Sequence, residues 1–336
     1  MKINMKQWLE DVKNSNVKKA MPILSFPSVQ LIGCTVKEIT ADANLQAKGM
    51  KMVADKTNSL ASVSLMDLSV EAECFGSQIC VSENEVPNII GKIVEDMDSA
   101  KALKVPEVGS ARSGVYIDAI KKATDLITDR PIFAGVIGPC SLAARLLDVS
   151  EMILWCYDDP EMVHLVLKKS TEFLIEYCKA YKAAGANGVV MAEPVAGLLS
   201  PDMAEEFSSP YVKQIVDAVQ DDDFIVVYHN CGNNVIAMID SILSTGSAAY
   251  HFGNSIDMSE MMKHVPDDTI AMGNVDPTSE FCNGTADSIT KATTELLDKC
   301  STYKNFVISS GCDIPPHSKW ENITAFFDAV DKYYES

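Results

Sequence analysis

Short apolar runs rich in β-branched residues alternate along the chain with longer segments of helical periodicity. The runs lie at residues 21–26, 62–69, 132–137, 188–191, 224–228, 248–252, 269–272 and 305–309. Helical periodicity marks segments such as 160–184, 201–219, 235–244, 286–300 and 320–334. Strands that alternate with helices form parallel sheets, and eight such units predict an α/β fold, a closed TIM-type (β/α)8 barrel.

The first 55 residues carry additional helical patterns around 5–14 and 43–56. We interpret them as an N-terminal helical extension that covers part of the barrel. No linker or low-complexity segment interrupts the 336 residues, so we expect a single domain over 1–336. No GxGxxG motif follows a predicted strand, which disfavours a Rossmann dinucleotide site.

The formal net charge is -19, and the chain contains only three arginines, Arg112, Arg130 and Arg145. This balance disfavours nucleic acid as a partner, because most of the surface repels polyanions. No window of about 18 apolar residues predicts a membrane span, and no signal peptide is visible, so we expect a cytoplasmic protein that does not contact membranes. Ten scattered cysteines indicate reduced thiols and suit an anaerobic setting.

Metal-binding residue types follow two of the predicted strands. His229 and Cys231 come at the end of the run 224–228, and Cys312 follows the run 305–309. Residues i and i+2 of an extended chain point the same way, and TIM barrels keep their active sites at the carboxyl ends of their strands. One imidazole and two thiols match zinc and leave its fourth tetrahedral position open. By spacing alone, a buried histidine and two structural thiols remain the alternative.

The sequence resembles the uroporphyrinogen decarboxylase-like superfamily, and within it the methylcobalamin:coenzyme M methyltransferases. Their zinc motif, His-x-Cys-Gly after one strand and Gly-Cys near the C-terminus, is matched by His229, Cys231 and Cys312. The likeness covers nearly the whole chain in the right order, and it extends to residues 67–76, 138–143 and 192–194.

This resemblance implies a methyltransferase with a catalytic zinc on His229, Cys231 and Cys312. The methyl group of methylcobalamin, or of another corrinoid, would pass to a thiol such as coenzyme M or a similar small acceptor. The chain lacks the Asp-x-His-x-x-Gly loop of cobalt-binding modules. The resemblance therefore implies that the corrinoid arrives on a separate partner protein.

One segment departs from the uroporphyrinogen decarboxylases themselves. Those enzymes carry an arginine-rich N-terminal motif for substrate carboxylates, whereas residues 23–30 here read ILSFPSVQ. We therefore expect no decarboxylation of that porphyrinogen.

Three further residues at predicted strand ends are candidates for the site. Glu193 could occupy the fourth metal position or orient a ligand, with a salt bridge at the rim as the alternative. Asp67 is the preferred pocket carboxylate for binding the corrinoid or substrate. His251 could approach the corrinoid, with a core histidine bonded to the backbone as its alternative.

Two other functions stay open. The same zinc motif suits the opposite half-reaction, in which a methoxy-arene or a methylamine-like donor is demethylated onto the corrinoid. From a different class, the chain could be a non-catalytic tetrapyrrole- or corrinoid-binding protein with a structural zinc, which predicts a closed site of four ligands.

Overall fold

The computed structural model describes residues 3–335 of the chain. Strands lie at Ser62–Val63 (β1), Gln78–Cys80 (β2), Asn88–Ile90 (β3), Ile132–Ile137 (β4), Gly188–Ala192 (β5), Ile225–Asn230 (β6), Ala249–Phe252 (β7), Ile270–Val275 (β8) and Phe306–Ser310 (β9). β2 and β3 pair as a small antiparallel hairpin.

The α helices pack around the outward face of the sheet, and α1 lies at its amino end. In the first part of the chain they lie at Met5–Asn14 (α1), Ser28–Ile32 (α2), Val36–Ala41 (α3), Ala43–Lys56 (α4), Val70–Cys74 (α5), Met97–Ala102 (α6), Ser113–Leu126 (α7), Pro139–Leu147 (α8) and Val149–Asp158 (α9). The others are Pro160–Ala183 (α10), Pro201–Phe207 (α11), Ser209–Val219 (α12), Ile239–Leu243 (α13), Met258–Met261 (α14), Ala286–Cys300 (α15) and Trp320–Glu335 (α16). A 3-10 turn at Ala196–Leu198 and a π-helical turn at Pro277–Cys282 complete the set. No helix within residues 3–335 combines the length and the apolar composition needed to cross a bilayer.

The main sheet is parallel throughout and follows the order β1-β4-β5-β6-β7-β8-β9. Its two outer strands are bridged by an extended segment around residues 20–23. The backbone N–H of Leu60 donates to the carbonyl of Ala20 at 2.8 Å, and that of Met21 donates to the carbonyl of Ile308 at 3.0 Å. The α/β fold predicted from the sequence is confirmed. The segment around residues 20–23 lies where the eighth strand of the barrel was expected.

The predicted strand at 21–26 does not form a regular ladder. Pro22 has no backbone N–H to donate, and the N–H of Ile23 donates to the Ser310 hydroxyl instead of to a carbonyl. The predicted strand at 62–69 is also wrong beyond Val63. There the N–H of Gly135 donates to the Ser64 hydroxyl at 2.9 Å, so the backbone ladder between β1 and β4 ends.

Two predicted helices differ from the structure. The segment 201–219 is divided into α11 and α12 at Ser208, because Pro210 has no N–H to donate to the carbonyl of Glu206, four residues earlier, and its ring would crowd that carbonyl. The segment 235–244 is helical only over Ile239–Leu243, and turns precede it.

Side chains alternate across the sheet, as expected for period-two strands. The inward row of β6 holds Ile225 and Val227, and the inward rows of neighbouring strands hold Ala249, Met272 and Val307. These residues form the packed interior of the barrel, while the outward rows join the larger core beneath the helices.

The N-terminal helix α1 covers the amino end of the barrel. Trp8 packs on Phe133 with ring centroids 5.9 Å apart, and the N–H of Met5 donates to the carbonyl of Asp222, just before β6. The carboxyl ends of the strands lie at the opposite rim, where the candidate residues gather.

Candidate metal centre

The inward rows of three strands become polar at the carboxyl end of the barrel. His229 continues the row of Ile225 and Val227 in β6, His251 follows Ala249 in β7, and Ser309 follows Val307 in β9. His229 and His251 are directly paired positions of adjacent parallel strands. All three side chains are buried, so each one needs a hydrogen-bond partner inside the barrel.

His229, Cys231 and Cys312 form a compact cluster of metal-binding atoms. One ligand atom from each lies within 4.8 Å of the other two, and in residues 3–335 no other three His, Cys, Asp or Glu side chains come together in this way. The Cys312 Sγ lies 3.5 Å from the His229 Nε2. The imidazole is buried, while both thiols are partly exposed toward the rim. The structure thus brings together the three residues predicted from strand ends 83 residues apart.

The two thiols have different acidities. Hydrogen bonding, chiefly from Cys312, lowers the pKa of Cys231 to about 4, against burial. The same hydrogen bond, together with burial, raises the pKa of the Cys312 thiol well above its ordinary value. The hydrogen bond between the two thiols therefore favours the loss of the Cys231 proton over that of Cys312, and a metal ion binds the deprotonated form of each.

His251 lies behind His229 and is bonded at both ring nitrogens. Its Nδ1 lies 2.8 Å from the His229 Nδ1, and its Nε2 lies 2.7 Å from the Ser309 Oγ. Burial and the adjacent His229 ring hold the pKa of His251 well below its ordinary value. The predicted contact of His251 with the corrinoid would have to use the carbon edge of the ring, because both nitrogens are occupied.

Gly253 lets the loop after β7 pack against the cluster. A Cβ at this position would lie 2.5 Å from both the Cα and the Cβ of Cys231, closer than two carbon atoms can approach. The absence of a side chain at residue 253 therefore sets the position of the Cys231 backbone.

The structure places Glu193 outside the metal-binding cluster. Its carboxylate accepts hydrogen bonds from the backbone N–H groups of Cys140 and Ser141, both at 2.9 Å, and from the Ser141 hydroxyl at 2.7 Å. These donors belong to the first turn of α8, so the buried Glu193 completes the N-terminus of that helix. Gly138 makes the room, since a Cβ there would lie 2.3 Å from the Glu193 Cδ. Burial raises the pKa of Glu193 to about 7, against the hydrogen bonds from Ser141 and Cys140.

Asp67 is engaged in an ion pair beside the end of β1. The Arg112 Nη1 donates to its Oδ2 at 2.5 Å, and the Tyr116 hydroxyl donates to the same oxygen at 2.8 Å. The Ser69 hydroxyl donates to the other oxygen, and Arg112 also bonds Glu73. The structure thus gives Asp67 a set of protein partners of its own, and none of them belongs to the His–Cys–Cys cluster.

Glu71 is buried next to this network. Its Oε1 accepts the N–H of Ile137 at 3.0 Å, while its Oε2 has no hydrogen-bond partner in the described part of the chain. Burial raises the pKa of this carboxyl to about 7.

Ser309 and Arg112 were not among the predicted site residues. The signal for Ser309 was available, since it lies two residues after Val307 on the inward face of a predicted strand. Arg112 carried no such signal, because it lies 45 residues from Asp67, directly before α7, a helix that was not predicted.

The chain is similar in sequence to one known protein family and to its members. The family model for uroporphyrinogen decarboxylase (URO-D) matches residues 17–333. The methylcobamide:CoM methyltransferase MtbA of Methanosarcina acetivorans is 26% identical over 332 residues, which cover 93% of each chain. The uroporphyrinogen decarboxylase of Hydrogenovibrio crunogenus is 24% identical over 309 residues, 88% of this chain and 84% of its own.

A solved structure has the same fold. A methyltransferase from Methanosarcina mazei superposes with a TM-score of 0.86, covers 99% of each chain and is 23% identical in sequence. This match confirms the TIM-barrel-like architecture over essentially the full length.

Proposed function

The chain belongs to the uroporphyrinogen decarboxylase family, and within that family we propose that it is a zinc-dependent methyltransferase. It would move a methyl group from a methylated corrinoid, carried by a partner protein, to a small thiol such as coenzyme M. The observation that carries the proposal is the cluster of one imidazole and two thiols at the carboxyl rim of the barrel. The likeness to MtbA, a methylcobamide:CoM methyltransferase, supports the choice of reaction.

The donor atoms fit a zinc ion. Zinc bonds of about 2.3 Å to sulfur and about 2.05 Å to nitrogen, at a tetrahedral angle, separate the two ligand atoms by about 3.6 Å. The Cys312 Sγ and the His229 Nε2 are 3.5 Å apart. Three ligands leave one tetrahedral position for a substrate, which favours a catalytic site over a structural one.

Each residue of the cluster has a distinct part in this proposal. His229, Cys231 and Cys312 would hold the ion, and the depressed pKa of Cys231 lets it bind without first losing a proton to solvent. A zinc ion supplies Lewis acidity that lowers the pKa of a bound thiol, so that the acceptor is presented as a thiolate. The partly exposed thiols face the rim, where a methyl donor on a second protein can approach.

Two other functions differ from this proposal in the direction of methyl transfer or in the number of zinc ligands. Demethylation of a methoxy-arene or methylamine-like donor onto cobalt(I) would use the same three ligands. A structural zinc would need a fourth protein ligand, and within residues 3–335 the cluster has three. Some relatives are named uroporphyrinogen decarboxylase, so decarboxylation is a further alternative, although residues 23–30 contain no arginine to bind carboxylates.

Metal content and methyl transfer test the proposal together. We would measure zinc by elemental analysis in the wild type, in Cys312→Ala and in the control Cys80→Ala, whose thiol is exposed on the β2–β3 hairpin. We expect about one zinc per chain in the wild type and the control, and its loss from Cys312→Ala. The wild type should demethylate methylcobalamin when a thiol is added.

Contrary results are equally specific. A wild type that stays metal-free after zinc loading and inert with methylcobalamin would mean that the family likeness reports the fold alone. Methyl transfer from methoxy-arenes or methylamines to cobalt(I) corrinoid, without activity toward thiols, would assign the opposite half-reaction. Porphyrinogen decarboxylation would overturn the proposal.

A further inference from the structure

A chain of four groups leads from the backbone to the metal-binding cluster. The Ser309 hydroxyl lies 2.8 Å from the carbonyl oxygen of Met21 and 2.7 Å from the His251 Nε2. The His251 Nδ1 lies 2.8 Å from the His229 Nδ1, and the His229 Nε2 faces Cys312. Every distance is that of a good hydrogen bond except the last, which joins the two proposed ligands.

The protons in this chain can be assigned from one end. A carbonyl oxygen only accepts, so the hydrogen between Ser309 and Met21 belongs to the hydroxyl. Since a hydroxyl has one hydrogen, the Ser309 Oγ must accept from the His251 Nε2–H. The reverse assignment would set two oxygen lone pairs against each other at 2.8 Å.

The assignment continues through His251 to His229. His251 is buried and contacts a hydroxyl and a second imidazole, with no carboxylate among its hydrogen-bond partners, so a cationic ring would be an uncompensated buried charge. The neutral ring has its hydrogen on Nε2, which leaves Nδ1 as an acceptor. His229 must then donate its Nδ1–H, and in the neutral ring, the form that binds a metal ion, its Nε2 carries the free lone pair.

We propose that His251 and Ser309 are positioning residues that hold His229 in the tautomer whose Nε2 lone pair faces Cys231 and Cys312. This inference deepens the proposed function, since it concerns the same metal centre. Without the Nδ1 acceptor, a neutral imidazole can place its hydrogen on either nitrogen, and in one of these forms the metal-binding atom is blocked. The whole assignment depends on the carbonyl of Met21, because a carbonyl oxygen can accept a hydrogen bond but cannot donate one.

Nuclear magnetic resonance of the metal-free protein tests the tautomer directly, at a pH high enough for both rings to be neutral. With 15N-labelled histidine in the full chain, long-range proton–nitrogen correlations distinguish Nδ1–H from Nε2–H rings. We expect His229 in the Nδ1–H form and His251 in the Nε2–H form, with the His229→Gln variant used to assign its signals. An Nε2–H tautomer of His229 would overturn the proposal.

A pair of substitutions at residue 251 separates positioning from packing. In His251→Asn the side-chain oxygen takes the approximate place of Nδ1 and still accepts from His229, whereas His251→Leu fills the space without an acceptor. We expect zinc binding to weaken by about 10- to 100-fold in His251→Leu and by only a few-fold in His251→Asn, measured by chelator competition. His264→Leu, at an exposed histidine, is the matched control.

The outcomes distinguish this inference from the proposed function. Equal zinc affinity in the wild type and His251→Leu, or equal losses in both variants at residue 251, would overturn the positioning role. If the tautomers and the affinities are as expected but methylcobalamin is not demethylated, the positioning role stands and the methyltransferase proposal falls.

Discussion

Replacement of Glu193 by alanine tests whether this carboxylate caps a helix or holds a metal ion. The side chain accepts three hydrogen bonds from the first turn of α8 and is fully buried. In Glu193→Ala those donors stay buried without a partner. At about 1–1.5 kcal/mol for each lost bond, we expect the free energy of unfolding to fall by about 3–5 kcal/mol.

This loss converts into a measurable melting shift. An unfolding entropy of about 2.1 cal/mol/K per residue amounts to about 0.7 kcal/mol/K for a chain of this length, so Tm should fall by about 4–7 °C. Calorimetry would be run beside Glu205→Ala, which removes an exposed carboxylate from the neighbouring α11 and should change stability by less than about 0.5 kcal/mol. Glu193→Gln should lose part of the stability, because its one oxygen replaces only one of the two acceptors.

Metal content decides between the two roles. A helix cap requires that Glu193→Ala bind as much zinc as the wild type once folded. The reasoning from the structure would be refuted by a variant that melts like Glu205→Ala and has lost its zinc.

Two further predictions follow from burial and close contact. Because the pKa of Glu71 is raised from 4.5 to about 7, the folded state holds a proton between these pH values that the unfolded state has lost. Glu71 should therefore contribute a fall in stability of about 3 kcal/mol as the pH rises through this window, in addition to the fall that Glu193 contributes. Equilibrium unfolding of Glu71→Gln should show a pH dependence smaller by this amount, and an unchanged pH dependence would contradict the assignment. In Gly253→Ala the new methyl group must displace Cys231, so we expect about tenfold weaker zinc binding in a chelator competition, and wild-type affinity would show that the loop yields without moving the ligand.

The ligand cluster was predictable because the relevant patterns are local. His229 and Cys231 lie at the end of an apolar run, and a barrel brings all strand ends to one rim. Ser309 could have been predicted to face inward from its alternation with Val307. Its contact with His251 could not, because that pairing depends on the cross-strand geometry of residues 58 positions apart.

Glu193 and Pro22 show two different limits. The position of Glu193 after a strand was predicted correctly, but its direction depends on a missing Cβ at Gly138, more than 50 residues away. No pattern near Glu193 carries that information. Pro22 carried a local signal that the apolar run outweighed, since a proline inside a predicted strand removes a ladder donor.

The contact between the Ser309 hydroxyl and the Met21 carbonyl has a consequence for biosynthesis. It joins residues 288 positions apart, and 83 residues separate His229 from Cys312. At about 5–20 residues per second, the ribosome needs about 4–17 s to pass from His229 to Cys312, the last residue of the cluster. During that interval the nascent chain can offer an ion only His229 and Cys231, a bidentate and therefore weak site. In the proposed zinc site, tight uptake of metal would therefore wait until translation is nearly finished, and metallation would report that the barrel has closed.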